Sequence, residues 1–154
     1  MPMKKTKKKK RGFTTKYTAE ITGIQPRIIQ YYAEHDIVIP EVDSPEGSGT
    51  VRRYSRQNQV ELLVVRVLAD FFTVKTVAKI WSIVKASDEW ARWVRMGGDY
   101  GNLEAAIKIT IPKSSVGYSV EIIEGTTTDL GLVKSYRAVI VVNVAEHFHQ
   151  VFDN

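Results

Sequence analysis

The sequence predicts an α+β fold, a mainly helical N-terminal part followed by a small antiparallel sheet, and three observations predict it. Apolar residues as far as Val94 recur at helical spacing behind Ser and Thr caps. "GGDYG", Gly97 to Gly101, then interrupts any helix. Beyond it, apolar and polar residues alternate with the period of two that marks a half-buried strand.

The elements follow in order. "FTTKYTAEITGI" predicts a short first helix, capped by Thr14, packed closely at Ala19 and stopped by Gly23. Pro26 suits the first position of a second helix, expected from Pro26 to about His35, with Ile28, Ile29 and Tyr32 pointing inward. Two short helices across a tight Gly-containing turn make a helix-turn-helix candidate. In that motif the second helix enters the major groove, which puts Gln25, Arg27 and Gln30 against base edges or phosphates.

"EVDSPEGSGTVRRYS" carries Pro45, Gly47 and Gly49 between two short extended pieces, a hairpin signal ending in Arg52, Arg53 and Tyr54. This is the expected wing. Ser55 then caps a helix whose apolar stripe is Val60, Leu63, Val64, Val67, Leu68 and Phe71, and Thr73 starts another with Val74, Val77, Ala78, Trp81 and Val84. "SDEWARWVRM" adds a short helix with a capping serine, early acids and apolar Trp90, Trp93 and Val94.

Three extended segments, "AAIKITIPK", "VGYSVEII" and "SYRAVIVVNVA", predict an antiparallel sheet of about three strands. A sheet this small needs its apolar face covered, by the tryptophan helix or by a second subunit. The expected organisation is a disordered basic tail over 1–12, a winged helix-turn-helix DNA-binding domain over 13–86, and a short helix plus antiparallel strands over 87–154, the dimerisation or effector region.

Composition excludes several function classes. At 154 residues, 44% hydrophobic and 25% charged, the chain has the size and balance of one soluble domain or of a module with an appendage. No apolar run approaches the roughly 20 residues that span a bilayer, and no apolar stretch follows the N-terminal lysines. The expectation is a cytoplasmic, nucleoid-associated protein with no membrane partner. With no cysteine, disulfides, thiolate metal sites and thiol redox chemistry are all removed.

The net charge of +5 is unevenly placed, since "KKTKKKKR", Lys4 to Arg11, holds 7 of the 22 basic residues and no acid. The rest of the chain has 15 basic and 17 acidic residues, with the relative excess of basic ones before Ser87. A polyanion is therefore expected at the N-terminal half, where a cationic arm releases counterions from phosphates without reading sequence.

Catalytic signatures are lacking: there is no phosphate loop, paired catalytic motif or nucleophile context, and "GGDYG" lacks the following helix and lysine of a phosphate cradle. No enzymatic activity, cofactor or metal is expected. "HFH", His147 to His149, spaces two imidazoles on one side of a strand without further ligands. Trp90, Trp93, Tyr100 and Tyr118 could hold an organic cation against their ring faces, but packing within the sheet is the preferred reading, and any small-molecule effector stays unknown.

Four motifs carry a family resemblance. "TGIQPRIIQYY" (Thr22 to Tyr32), "DIVIP" (Asp36 to Pro40), "VRRYS" (Val51 to Ser55) and "FTVKTVAKI" (Phe72 to Ile80) resemble, in order and spacing, the winged helix-turn-helix domain of MerR-type transcription regulators. The resemblance implies that Arg27 and Tyr31 face DNA, that Tyr32 lies near its backbone, and that Arg52, Arg53 and Tyr54 meet flanking phosphates. The candidate DNA-binding set is thus Thr14, Gln25, Arg27, Gln30, Tyr31, Tyr32, Arg52, Arg53 and Tyr54.

Departures from the family pattern are specific. Gln30 stands where arginine is usual, Phe71 where glycine is common, and Asp36 replaces a glycine at a turn expected to need a left-handed backbone, which aspartate tolerates. The long helix with which such regulators pair as a coiled coil is absent. The function implied is a sequence-specific regulator that binds double-stranded DNA as a homodimer on a pseudo-palindromic operator, with RNA polymerase a further implied partner. Two alternatives are an excisionase-like or architectural DNA-bending protein, and a ligand-binding module that uses the helix-turn-helix for protein contact.

Overall fold

A computed structural model describes residues 12–41, 51–96, 105–112, 117–124 and 136–152. The lysine run, the tip of the expected wing and the "GGDYG" break lie outside the described residues. In chain order the elements are β1 (Phe13–Thr14), α1 (Thr15–Thr22), α2 (Pro26–Glu34), β2 (Arg53–Tyr54), α3 (Arg56–Ala69), α4 (Val74–Lys85), α5 (Asp88–Arg95), β3 (Ala105–Pro112), β4 (Ser119–Glu124), β5 (Tyr136–Asn143) and α6 (Val144–Phe152). The α+β expectation holds.

Local chemistry sets the first boundaries. The Thr14 hydroxyl accepts from the Tyr17 N–H at 3.2 Å, satisfying one of the open donors of α1. Gly23, at φ 68°, ends α1 by donating its N–H to the Ala19 carbonyl at 2.9 Å. Pro26 opens α2 where a missing N–H costs nothing. Asp36 adopts φ 53°, the left-handed turn expected there, and lets the Ile37 N–H return to the Tyr32 carbonyl at 2.9 Å.

Two tethers organise the winged half. β1 pairs antiparallel with β2, Phe13 against Tyr54 and Thr14 against Arg53, a two-residue ladder that the sequence patterns do not announce. Gly12 makes room for it: at φ 78°, an added Cβ would lie 3.0 Å from the Tyr54 carbonyl oxygen. Asn58 forms the second tether. Its side-chain oxygen accepts from the N–H groups of Glu41 (3.0 Å) and Ser55 (3.1 Å), and its amide donates to the Ile39 carbonyl at 3.0 Å. One buried carboxamide therefore holds the chain leaving α2 against the chain entering α3.

The helix α3 runs through the middle of the molecule. Ser55 and Asn58 complete a capping box at its start. Val60, Leu63, Val64 and Leu68 are buried as expected, but so are Leu62 and Val65, because α6 packs along α3 in addition to α1 and α4. Phe71 is a correction: α3 ends at Ala69, so the helical period does not reach Phe71, which is 59% exposed while Phe72 packs on the core. In α4 the buried residues are Val77, Ile80, Trp81 and Val84, with Val74 and Ala78 at the margin.

The C-terminal segment brings the larger correction. Val144 to Phe152 is a helix, not a continuation of the strand, and Asn143 accepts from the Glu146 N–H at 3.2 Å at its start. His147 and His149 are then two positions apart on a helix and do not share the face a strand would give them. Phe148 and Val151 are buried instead.

The three-stranded sheet has the order β4-β3-β5, antiparallel throughout, with Ile107 opposite Ile122 and Val142, and Ile109 opposite Val120 and Ile140. This face joins one continuous apolar cluster that runs from Ile24 on the winged half to Val151 on α6. The cover that the sheet requires comes from its own chain. Trp90 links the helices above it, its ring 5.0 Å from Trp81 of α4 and 5.9 Å from Phe148 of α6. Glu124 at the end of β4 anchors α5 by accepting from the Trp93 indole at 2.7 Å and from Arg92 at 2.8 Å; these hydrogen bonds, that from Arg92 first, lower its carboxyl pKa.

Two stability outcomes follow. Asn58→Ala strands the three backbone groups and lowers the unfolding free energy by about 2 to 3 kcal/mol in urea titration; an unchanged midpoint would show that the tether carries no load. Glu61, 2% exposed on α3, has its pKa raised above the usual 4.5 by burial, against the opposing pull of Lys85. Its protonated form is the one folding favours, so its contribution is full below pH 4.5 and is lost as pH rises through the folded value. Glu61→Gln is therefore more stable than wild type at neutral pH and equal to it in acid, as thermal melts across pH will read.

Candidate nucleic-acid interface

The helix α2 is divided by its own period. Ile29, Tyr32 and Ala33 are buried, while Gln25, Arg27, Gln30, Tyr31 and Glu34 face outward. At nine residues the helix would barely persist alone, so the buried side holds the outer side in place. Among the described residues, no side-chain hydrogen bond or ion pair engages Arg27 or Gln30, leaving a guanidinium fork and a carboxamide presented to solvent.

The exposed end of α2 carries a feature that the motif reading passed over. The His35 ring lies tilted against Tyr31 with the ring centroids 4.0 Å apart, and its Nδ1 lies 2.8 Å from the Tyr31 carbonyl oxygen. Tyr31 is 37% exposed and so presents one edge outward while His35 backs the ring. The four-residue spacing of the two rings was the available signal.

Tyr32 and Tyr54 are corrections to the contact set. Tyr32 is 4% exposed and Tyr54 is 0% exposed, and both belong to the continuous core. Burial pushes the Tyr32 hydroxyl pKa up, with Arg66 pulling the other way. These rings pack within the core and position α2 and β2.

The arginines of the wing root differ from each other. Arg52 lies 3.6 Å from Glu34 of α2, an ion pair with the glutamate largely exposed. Such a pair is worth about 0 to 1 kcal/mol. Arg53 donates to the Gly12 carbonyl at 3.1 Å, so it fastens the chain where the lysine tail departs. Thr14 is occupied as the α1 cap, although its hydroxyl hydrogen is still available.

The same end of α1 exposes Lys16 and Tyr17, with Tyr17 stacked on Phe13 at 4.9 Å. The sequence reading used this stretch only as a helix start. The outward residues thus comprise a helix face with one arginine and two amides, flanked by the β1–β2 junction with Arg52 and Arg53. This arrangement can hold phosphates at its edges and offer donors and acceptors at its centre.

No described helix is long and apolar enough to cross a membrane, and no described cluster of His, Asp or Glu could hold a metal ion. Residues 13–82 match the family model described as "MerR HTH family regulatory protein". A search of the curated proteins found no match. The matched span begins at β1 and ends within α4, so it takes in all the outward residues described above.

The division between core and surface tyrosines is measurable without DNA. Tyr32→Ala and Tyr54→Ala should each cost about 3 to 5 kcal/mol of stability, whereas Tyr31→Ala should stay within about 0.5 kcal/mol, as chemical denaturation will show.

Proposed function

We propose that this chain, whose residues 13–82 match the family model of MerR HTH regulatory proteins, is a sequence-specific transcription regulator acting as a homodimer on a pseudo-palindromic operator. The observation that supports this reading is the α2 face: Arg27 and Gln30 are exposed and untethered on a helix locked from behind.

In this reading α2 lies in the major groove. Arg27 presents two parallel donors to guanine O6 and N7 or to a phosphate, and Gln30 pairs its amide with adenine N6 and N7. Tyr31 sends its hydroxyl to a phosphate while His35 supports its ring. Arg52 exchanges Glu34 for a flanking phosphate, and Arg53 and Thr14 add contacts at the junction. Gln25 approaches the backbone at the start of the helix. The lysine tail contributes affinity that is independent of sequence and falls as salt rises.

Two copies on a twofold axis read two half-sites, which doubles the contacts and fixes the operator's symmetry. Such a protein works in the cytoplasm on the nucleoid, with RNA polymerase at the promoter as its further partner. Domain roles divide accordingly: the basic tail (1–12) and winged domain (13–86) engage DNA, and residues 87–154 bring the copies together.

Selection of bound sites from random DNA supplies the operator for the test. On that site Arg27→Ala should cost about 1 to 3 kcal/mol and relax the preference at one position, whereas Arg52→Ala should weaken every sequence alike and reduce the salt slope by about 1. Equal losses on all sequences for both variants would make α2 a non-specific contact and contradict the reading.

A further inference from the structure

The sheet has two open edges among the described residues, and their chemistry differs. At one edge β4 carries Glu121 and Glu124 within six residues, so two β4 strands would meet with like charges. At the other edge β5 opens with Tyr136 and Arg137 and then runs uncharged from Ala138 to Asn143. An edge strand with a long uncharged run and, among the described residues, neither proline nor a covering strand over it is a template for another strand.

The faces sharpen the contrast. Val142 points into the core, 2% exposed, while its neighbour Val141 is 37% exposed on the opposite face. Along the row that crosses the sheet at Val141, Lys108 of β3 stands next and Glu121 of β4 beyond it, the lysine and glutamate 3.4 Å apart. The charge nearest the β5 edge is thus already neutralised within its own sheet.

We infer that β5 is the dimer seam: it pairs antiparallel with β5 of a second copy about a twofold axis at Val141, joining two three-stranded sheets into one of six strands. The axis is placed at Val141, the exposed valine within the uncharged run Ala138 to Asn143, so that each Val141 lies beside its counterpart and the two Arg137 positions fall at opposite ends of the seam. A strand that pairs with itself in antiparallel fashion is isologous, so it closes as a dimer and leaves the charged β4 edges outermost. The inference rests on the homodimeric reading given above and supplies the contact that a long pairing helix would otherwise provide, since α5 ends at Arg95.

The chain lacks cysteine, so one introduced thiol reports this contact alone. Opposed residues of an antiparallel pair have Cα atoms within disulfide range. Full-length Val141→Cys should cross-link to a covalent dimer under mild oxidation, while Ile83→Cys, more exposed on α4, should not. In sedimentation, wild type should be a dimer without DNA, Val141→Lys should raise the dimer dissociation constant roughly tenfold or more, and Val141→Thr should leave it close to wild type. A monomeric wild type, or a dimer unmoved by Val141→Lys with no cross-link at Val141→Cys, overturns the seam. Neither result touches the Arg27 and Arg52 comparison on DNA. Conversely, a dimer that cross-links yet selects no DNA sequence would retain the seam and remove the operator reading.

Discussion

The packing of α6 against α3 is the interaction on which the rest of the structure depends. The helix α3 buries Val60, Leu62, Leu63, Val64, Val65 and Leu68, a set too wide for a helix with one covered face. Its other contacts reach α1 and β2 on the winged side, and β5 on the sheet side. With α6 in place the winged half and the small sheet share a core; without it, both would expose apolar surface. A burial of about 1.5 to 3 kcal/mol for each large aliphatic or aromatic side chain makes residues such as Phe148 and Val151 decisive for so short a chain. Arg56, at the start of α3, reinforces the closure by donating to the Phe152 carbonyl at 3.2 Å and standing over its ring.

This architecture explains how a nine-residue helix can serve as a reading head. The α2 backbone is fixed on one side by Ile29 and Tyr32, and at its exit by the Asp36 turn and the Asn58 tether. Little ordering is left for the moment of binding, so contacts by Arg27 and Gln30 are not offset by the cost of forming the helix. The same frame joins the sheet rigidly to α2 through α3. On the proposed function, the spacing between two reading helices would follow from how two sheets meet.

Much of the N-terminal half was legible because its signals are local. Thr14, Gly23, Pro26, Ser55, Thr73 and Ser87 each mark a boundary through a side chain or a φ angle that acts within a few residues, and the Asp36 turn follows the same logic. The two-residue ladder β1–β2 was not legible, since its only signature is a partner some 40 residues away in sequence. The widened core of α3 depends on a helix that had not been recognised. That helix had a signal: Val144, Phe148, Val151 and Phe152 recur at helical spacing behind Asn143. The β-branched run of β5 leads directly into it and masked the change of period. In the candidate site, the outward face of α2 could be read from its alternation with Ile29 and Tyr32. Burial of Tyr54 could not, because a motif records which residue stands at a position and not which way its ring turns.

The central claim is that the outer face of α2 reads DNA while the sheet does not. Amide chemical shifts of the full chain, followed as a selected duplex is added at moderate salt, test it directly. The account predicts that the largest shifts fall on Arg27 to Tyr31 and on Arg52 and Arg53, with β3 and β4 little changed. Shifts concentrated on the sheet, with α2 unmoved, would contradict it.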